Sequence, residues 1–159
     1  MDPSNANRKP VIVGLLLTSL RERYERMLRA ALDAHAAATD GESKAEDKYD
    51  TRGLEASYLA AGQAEQVEEL ALSISTFELL LANASSFVGI AGPGALVEVD
   101  FGGERVFYLL AARAGGLSSE FEGCEVTVLA PDAPLRRKLN GLGEGARIQD
   151  PRLTVMSVC

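Results

Sequence analysis

The sequence has few of the residues that carry metal and nucleophile chemistry. Its 159 residues include two cysteines, Cys124 and Cys159, and a single histidine, His35. The cysteines match no metal-ligand spacing and indicate no disulfide framework, and a lone histidine without a cysteine nearby argues against a metal site. No nucleophile elbow, phosphate-binding glycine loop or zinc pattern is present. These absences argue against an enzyme that acts on its own.

Basic residues are outnumbered by acidic ones. The chain has 16 lysines and arginines against 23 aspartates and glutamates, a formal net charge of −7. This balance argues against general nucleic-acid binding through a basic face, so any such contact must be local. Two groups could form a local positive surface or a solvated helix face. They are Arg21, Arg26 and Arg29, and the run Arg136, Arg137 and Lys138.

Long apolar runs are also missing, and none approaches the roughly eighteen residues of a membrane span. Residues 11–17 are apolar and follow Arg8 and Lys9, which imitates the start of a signal peptide. No small-residue cleavage site follows, however, and the apolar residues continue at heptad spacing. We therefore expect a cytoplasmic protein with no membrane contact.

A helical period dominates the first half of the chain. Apolar residues recur there at alternating steps of four and three, the pattern that an antiparallel coiled coil buries. Two such stripes each span 25 steps, which is about 38 Å of helix. Their equal lengths predict an antiparallel coiled-coil hairpin over residues 1–82 with its tip at about 40–55. The stripes consist of Val13, Leu17, Leu20, Tyr24, Met27, Ala31, Ala34 and Ala38, and of Ala56, Ala60, Gln63, Val67, Leu70, Ile74, Phe77 and Leu81.

The tip of this hairpin is predicted to be narrow and charged. Alanines line the stripes near the turn, and they bury far less apolar area than the leucines near the base. Residues 43–63 read S-K-A-E-D-K-Y-D-T-R-G-L-E-A-S-Y-L-A-A-G-Q, the densest charge of the chain. Part of this charge has a structural interpretation, because Ser43 and Glu46 match a capping box and Asp50 or Thr51 could cap the second helix. A narrow tip suits entry into a confined space.

The second half, residues 83–159, predicts a small β-rich domain. Residues 95–101 and 105–111 flank Gly102 and Gly103, a strong hairpin signal. Further β-type runs cover residues 125–129, 146–149 and 153–158. Residues 133–139 predict a short helix with Pro134 in its first turn and Gly141 as its left-handed cap. About five strands and one helix follow, so the predicted fold class is α+β.

Two motifs resemble the bacterial Gre transcript-cleavage factors, in a divergent branch of that family. Residues 55–63, E-A-S-Y-L-A-A-G-Q, are similar to the family's run at the start of its second helix. Residues 130–135, A-P-D-A-P-L, followed by L-N-G and G-E-G, are similar to its C-terminal segment. The resemblance covers residues 11–158. It implies an FKBP-like C-terminal domain, which does not imply prolyl isomerase activity.

The resemblance also implies a mechanism by insertion. A Gre factor docks at the rim of the RNA polymerase secondary channel and passes its hairpin inward. Acidic tip residues there help to hold a second Mg²⁺ and a water, so that the polymerase cuts the 3′ end of its own nascent RNA. This chain would then be a monomer that shares Mg²⁺ with the polymerase and binds none stably alone. It would not itself be an enzyme.

The resemblance assigns roles to particular residues, with one departure from the family. When Tyr58 and Gln63 are placed on the family's tyrosine and glutamine, its two acidic positions fall on Thr51 and Leu54. Asp50 and Glu55 lie one residue to either side, and we expect them to be the carboxylates that assist the polymerase. The expected tip contacts are Glu46, Asp47, Lys48, Tyr49, Thr51 and Arg52. The expected hairpin framework is Tyr58 and Gln63, and the expected partner-binding residues are Pro134, Leu135 and Gly141.

Alternatives remain open at this point. Tyr49 and Tyr58 can be packing groups that close the turn, and Gln63 can fix the register of the hairpin from its seam position. The protein can stimulate cleavage or occupy the channel as an inhibitor without cleavage. A different class of function is an FKBP-like peptide-binding module that carries a coiled-coil arm.

Overall fold

The computed structural model describes residues 7–39, 52–84 and 89–159. The described chain begins with two long helices and continues into a sheet that carries one short helix. The predicted α+β fold class, a helical hairpin followed by a β-rich part, is confirmed. The helices are α1 (Arg8–Thr39), α2 (Arg52–Ala82) and α3 (Pro134–Leu139), and the strands are β1 (Leu96–Phe101), β2 (Glu104–Leu109), β3 (Ser118–Phe121), β4 (Cys124–Val128), β5 (Arg147–Gln149) and β6 (Arg152–Val158).

The chain divides into two compact units. One consists of Met1–Thr18 together with Ser75–Cys159, and the other of Ser19–Ile74. The first unit therefore contains the beginning of α1, the end of α2 and the whole sheet. The boundaries between these units fall within α1 and α2. The boundary predicted from the sequence lies instead between residues 82 and 83, where helical residues give way to β-type residues.

The predicted stripes are the buried sides of the two helices over most of their described length. In the Ser19–Ile74 unit, Leu20 and Ala34 are buried, and most other stripe residues are half-buried. In the other unit, Val13, Leu17 and Phe77 are buried. These stripe residues form the seam. Ala38 and Ala56 lie outside the described side chains.

Near the beginning of α1 and the end of α2, the predicted stripe no longer matches the set of buried residues. Leu81 is 37% exposed while Ala84 is buried, and α1 buries Ile12 and Leu16 beside its stripe. A straight helix repeats every 3.6 residues, so a strict heptad drifts around its surface. Near the sheet, α1 therefore buries a wider face than a coiled-coil seam requires.

The sheet has six strands in the order β3-β4-β2-β1-β6-β5. The pairs are antiparallel except β2 with β4, which is parallel. The predicted hairpin is confirmed, since β1 and β2 join through Gly102 and Gly103 at φ of 66° and 94°, the geometry that favours glycine in a two-residue turn. The strand β3 was missed because its sequence S-S-E-F has no apolar run and lies at the sheet edge.

Both faces of the central strands are buried. Val97, Val99 and Val155 lie on one face in a core that includes Leu139 of α3. Because side chains alternate along a strand, Leu96 and Phe107 lie on the opposite face, and they are also buried. Two layers therefore cover the middle of the sheet. Only the first of them contains α3.

Candidate functional site

The predicted tip lies largely outside the described residues. This applies to the predicted contacts and carboxylate at positions 46–51, namely Glu46, Asp47, Lys48, Tyr49, Asp50 and Thr51. Arg52 is the first residue of α2, and Leu54 lies in its first turn. Glu55, the described member of the two predicted assisting carboxylates, is exposed in that turn. A carboxylate there interacts favourably with the helix N-terminal dipole.

Apolar side chains are exposed where α1 ends and α2 begins. Tyr58 is 71% exposed, and Leu32 and Leu59 are 59% and 57% exposed. The described residues do not bury the Tyr58 ring, and the turn that it is predicted to close lies outside them, so its interpretation as a packing group stays a prediction. The ring faces solvent, where a partner can reach it.

Gln63 lies on the seam, as predicted from the stripe. Gln63 as a whole is half-buried. Its Oε1 atom is buried and has no hydrogen bond from the part of the chain that the structure describes. Leaving a buried acceptor unsatisfied costs about 1–3 kcal/mol. The residue also lines a groove between α1 and α2 together with Arg23, Arg26 and Leu70.

The two long helices carry opposite charge. The predicted arginines Arg21, Arg26 and Arg29 are exposed on α1. Beyond Arg52, α2 contains no lysine or arginine. Its exposed charges are Glu55, Glu65, Glu68, Glu69 and Glu78. Exposure of the α1 arginines fits both a solvated face and a partner contact.

The predicted basic surface at residues 136–138 is wrong for Arg136. That side chain is 9% exposed, and its Nη1 donates to the carbonyl oxygens of Ala111 and Leu129, the latter at 2.8 Å. Arg136 thereby ties α3 to the segments that follow β2 and β4. Lys138 Nζ lies 3.6 Å from Asp150 Oδ2. Arg137 is exposed, so the run does not present three cations to solvent.

The predicted partner-binding residues take up separate positions around α3. Pro134 begins that helix and is exposed, whereas Leu135 packs against the sheet core. Gly141 has φ of 82° and donates its N–H to the carbonyl oxygen of Ala91 at 2.7 Å. A backbone role explains Gly141. Pro134 and Gly141 are exposed and Leu135 is half-buried, and their partner-binding role stays a prediction.

Glu98 is the centre of a charged network that the sequence did not indicate. Its carboxylate accepts hydrogen bonds from Arg8 Nη1 at 3.1 Å, from Ser157 Oγ at 2.8 Å and from Arg105 Nε. The Glu98 side chain is 12% exposed. A carboxylate with three donors is well compensated. The network links the first turn of α1 to β1, β2 and β6.

The described residues contain neither a metal-binding cluster nor a membrane-spanning helix. Within residues 7–39, 52–84 and 89–159, no group of three or more histidine, cysteine or acidic side chains is placed to hold a metal ion. His35 is exposed on α1. None of the described helices is long and apolar enough to cross a membrane.

Comparison with known proteins gives slight likenesses only. No family model matches the chain, and no curated protein matches it. Among solved structures, GreA factor homolog 1 (Gfh1) of Thermus thermophilus is 17% identical with a TM-score of 0.33, covering 90% of this chain and 94% of that one. Thermus aquaticus Gfh1 is 18% identical with a TM-score of 0.31, covering 89% and 92%. TM-scores of this size do not establish a shared fold, so function must be argued from the residues of this chain.

Proposed function

We propose that this chain is a Gre-like transcription factor that binds RNA polymerase and inserts its helical hairpin into the secondary channel. It acts as a cytoplasmic monomer and modulates elongation. It is not itself an enzyme, because its tip lends residues to the active site of the polymerase. The nascent RNA 3′ end is close to the tip in the complex but is not its docking partner.

One observation carries this proposal: the Gre-like string occupies the start of α2 in a helical hairpin that precedes a β-rich part. Glu55, Tyr58 and Gln63 lie within the first turns of one helix. Glu55 and Tyr58 are exposed, so both can meet a partner surface. Ala31, Ala34 and Ala60 line the described seam toward the tip, and such small side chains suit a confined channel.

Magnesium enters the proposal through the polymerase. Mg²⁺ binds carboxylates while it keeps several waters, and a single exposed carboxylate such as Glu55 can complete a site whose other ligands belong to a partner. In such a site the ion supplies charge neutralisation and an activated water for phosphodiester hydrolysis. The described residues do not form a full ligand set of their own. In this proposal Glu55 orients the ion and shares its coordination with the ligands that the polymerase supplies.

The first experiment measures binding to core RNA polymerase. We expect saturable binding that a known secondary-channel factor displaces in a competition titration. We also expect the free protein to have the solution mass of a monomer. Absence of measurable binding to core polymerase would refute the proposal.

The second experiment measures RNA cleavage in backtracked elongation complexes. If the tip assists cleavage, Asp50→Ala and Glu55→Ala should each lower the cleavage rate by about tenfold or more, as when support to a catalytic metal is lost. Glu68→Ala, which removes an exposed carboxylate from the same helix away from the tip, is the matched control and should leave the rate unchanged. Equal losses in all three variants would count against a special role for the tip carboxylates.

Thr51 and Leu54 favour a second candidate, a channel-occupying inhibitor. They stand where cleavage factors of the resembled family have acidic residues, and neither can bind Mg²⁺ as a carboxylate. An inhibitor would bind the polymerase, slow elongation and give no cleavage even before mutation. The FKBP-like peptide-binding alternative gains no comparable support, since α1 and α2 line the same grooves within one chain.

A further inference from the structure

The strand pair β5–β6 presents four hydrogen-bond donors on one face. Arg147 lies opposite Thr154, and Gln149 lies opposite Arg152, in the antiparallel register. Because side chains alternate along a strand, these four share one face, while the intervening Leu153 is buried in the sheet core on the other. None of the four is acidic, although the chain as a whole has 23 acidic residues against 16 basic ones.

The two arginines of this face are placed to act on one ligand. Arg147 and Arg152 are diagonal neighbours across the strand pair, and such positions lie about 7–8 Å apart. Both residues are exposed. A guanidinium group donates up to five hydrogen bonds and accepts none. Two such groups repel each other, and an anion between them turns that repulsion into attraction.

The same four residues line a concave site. They surround a depression of about 430 Å³ together with Gly102 and Gly103, the turn between β1 and β2. This volume lies within the range of small-molecule sites. The lining is mainly polar, in contrast to the apolar lining that is usual for such sites. A ligand that fits this depression is therefore charged and has little apolar surface.

Two aspartates lie in or beside the depression, and both have other partners. Asp100 lines it, and its Oδ1 accepts a hydrogen bond from the N–H of Gly103 at 2.7 Å. Asp150, in the turn between β5 and β6, has its Oδ2 at 3.6 Å from Lys138 Nζ. Within the described ranges neither arginine of the depression forms an ion pair. Its lining therefore carries two positive charges against the single negative charge of Asp100.

We propose that this depression binds the phosphate group of a small phosphorylated molecule, held between Arg147 and Arg152. A phosphate has enough oxygens to accept from two guanidinium groups at once, whereas one arginine already satisfies both oxygens of a carboxylate. Thr154 and Gln149 supply further donors beside it. A long nucleic-acid strand would reach beyond the depression and meet a chain of net charge −7, which repels it. The site belongs to the sheet and goes beyond the proposed function.

Isothermal titration calorimetry with inorganic pyrophosphate, in magnesium-free buffer of low ionic strength, tests the site. The wild type should bind saturably. Arg147→Gln and Arg152→Gln should each weaken the affinity about tenfold or more, the value of hydrogen bonds to a charged group. Arg137→Gln, which removes an exposed arginine of α3, is the matched control and should leave the affinity unchanged. Equal losses in all three variants, or no binding by the wild type, would overturn the proposal.

The carboxylate in the depression gives a second test, of opposite sign. Asp100 lies opposite Thr154, which lies opposite Arg147, so two strand spacings of about 10 Å in total separate Asp100 from Arg147. Asp100→Asn keeps an oxygen that can accept the N–H of Gly103 and removes the negative charge. The affinity for pyrophosphate should therefore rise about twofold to fourfold at low salt. An unchanged or weaker affinity would place the ligand elsewhere and overturn the proposal.

Two other ligands test the chemical class. Succinate, a dicarboxylate, should bind more weakly than inorganic phosphate, and equal affinity would overturn the assignment to phosphate. A single-stranded oligoribonucleotide without terminal phosphates should bind more weakly than pyrophosphate. Tighter binding of the oligoribonucleotide would identify a nucleic-acid surface instead and overturn the assignment to a small molecule.

Urea denaturation checks that the effects arise from binding to the folded protein. Pyrophosphate should raise the urea midpoint of the wild type, because a ligand that binds only the folded state stabilises it. The double variant Arg147→Gln, Arg152→Gln should keep the wild-type midpoint without ligand, since both residues are exposed, and should show no rise with pyrophosphate. An equal rise in both proteins would contradict the role of the two arginines.

Discussion

Lys9 is the residue whose surroundings differ most from those that its type prefers. It lies in the first turn of α1 and is 4% exposed. Burial lowers the pKa of its ammonium group, while the nearby Cys159 acts in the opposite direction. No described residue forms an ion pair with it. A buried, poorly compensated charge destabilises the fold at neutral pH.

We therefore predict that Lys9→Met stabilises the protein at pH 7. Between its lowered folded pKa and the ordinary value of 10.5, the unfolded state binds more protons at Lys9 than the folded state does. The free energy of unfolding contributed by Lys9 consequently rises with pH across that window. Methionine fills similar space without titrating, so the variant should lose this rise.

Urea denaturation of wild type and Lys9→Met at pH 7 and at several higher pH values measures the effect. The gain should be largest at neutral pH and should shrink as pH approaches 10.5. Cys159, whose pKa is raised by burial and lowered in part by Lys9, contributes in the opposite sense, so the comparison is also made with Cys159→Ala in both proteins to isolate Lys9. A gain that stays constant with pH would show that packing, not charge, is responsible.

Residue roles were predictable from the sequence only where they depend on neighbours along the chain. Pro134 at the start of α3 and Gly141 after its end follow from local backbone preferences, and both were predicted. Arg136 was interpreted as surface charge because its neighbours are basic. Its actual partners, Ala111 and Leu129, are 25 and 7 residues away. Partners at such separations cannot be predicted from a local sequence pattern.

At the scale of elements, glycines at two positions should respond oppositely to the same substitution. Gly62 lies within α2 with open space around an added Cβ, so Gly62→Ala should stabilise the helix by about 0.5–1 kcal/mol. Gly103 has φ of 94° in the turn between β1 and β2. Gly103→Ala should therefore destabilise the sheet by about 1–2 kcal/mol.

Denaturation followed by circular dichroism, with a helix-sensitive and a sheet-sensitive wavelength, separates the two effects. Gly62→Ala should raise the midpoint of the helical signal, and Gly103→Ala should lower that of the sheet. Each variant serves as the control of the other, since the glycines lie in different compact units. Changes of the same sign in both would contradict the backbone argument.

Elements with strong local signals were predicted well. The two long helices have a clear period, and the strands β1, β2, β4 and β6 have apolar β-type residues. β3 escaped prediction because its four residues are mostly polar and half of them are exposed. It is held by pairing with β4 across Glu122 and Gly123, both at positive φ. Its existence depends on a neighbour, not on its own residues.

At the scale of the whole molecule, the two units differ in how much they bury. Among described side chains of Ser19–Ile74, those buried are Leu20, Ala34 and Ser73. The unit that holds the sheet buries a continuous core, with Val97, Val99 and Leu110 fully covered. Local opening is cheaper where fewer apolar contacts are lost.

We predict that hydrogen exchange is slowest in β1, β2 and β6 and distinctly faster in Ser19–Ile74. Mass spectrometry of exchange at constant pH, resolved by peptide, measures this difference. If the hairpin works by insertion, addition of core polymerase should slow exchange in Ser19–Ile74 more than in β1. Uniform protection of both units in the free protein would contradict the difference in burial.

The sequence by itself determined the helical hairpin, the β1–β2 turn and the α+β class, because each depends on periodicity or on backbone preferences within a few residues. It also placed Gln63 on the seam. Tertiary structure alone decided that Tyr58 faces solvent and that Arg136 is buried. It also decided that Glu98 accepts hydrogen bonds from Arg8, Arg105 and Ser157. These facts depend on residues brought together from distant parts of the chain, and burial and hydrogen bonding act on that proximity.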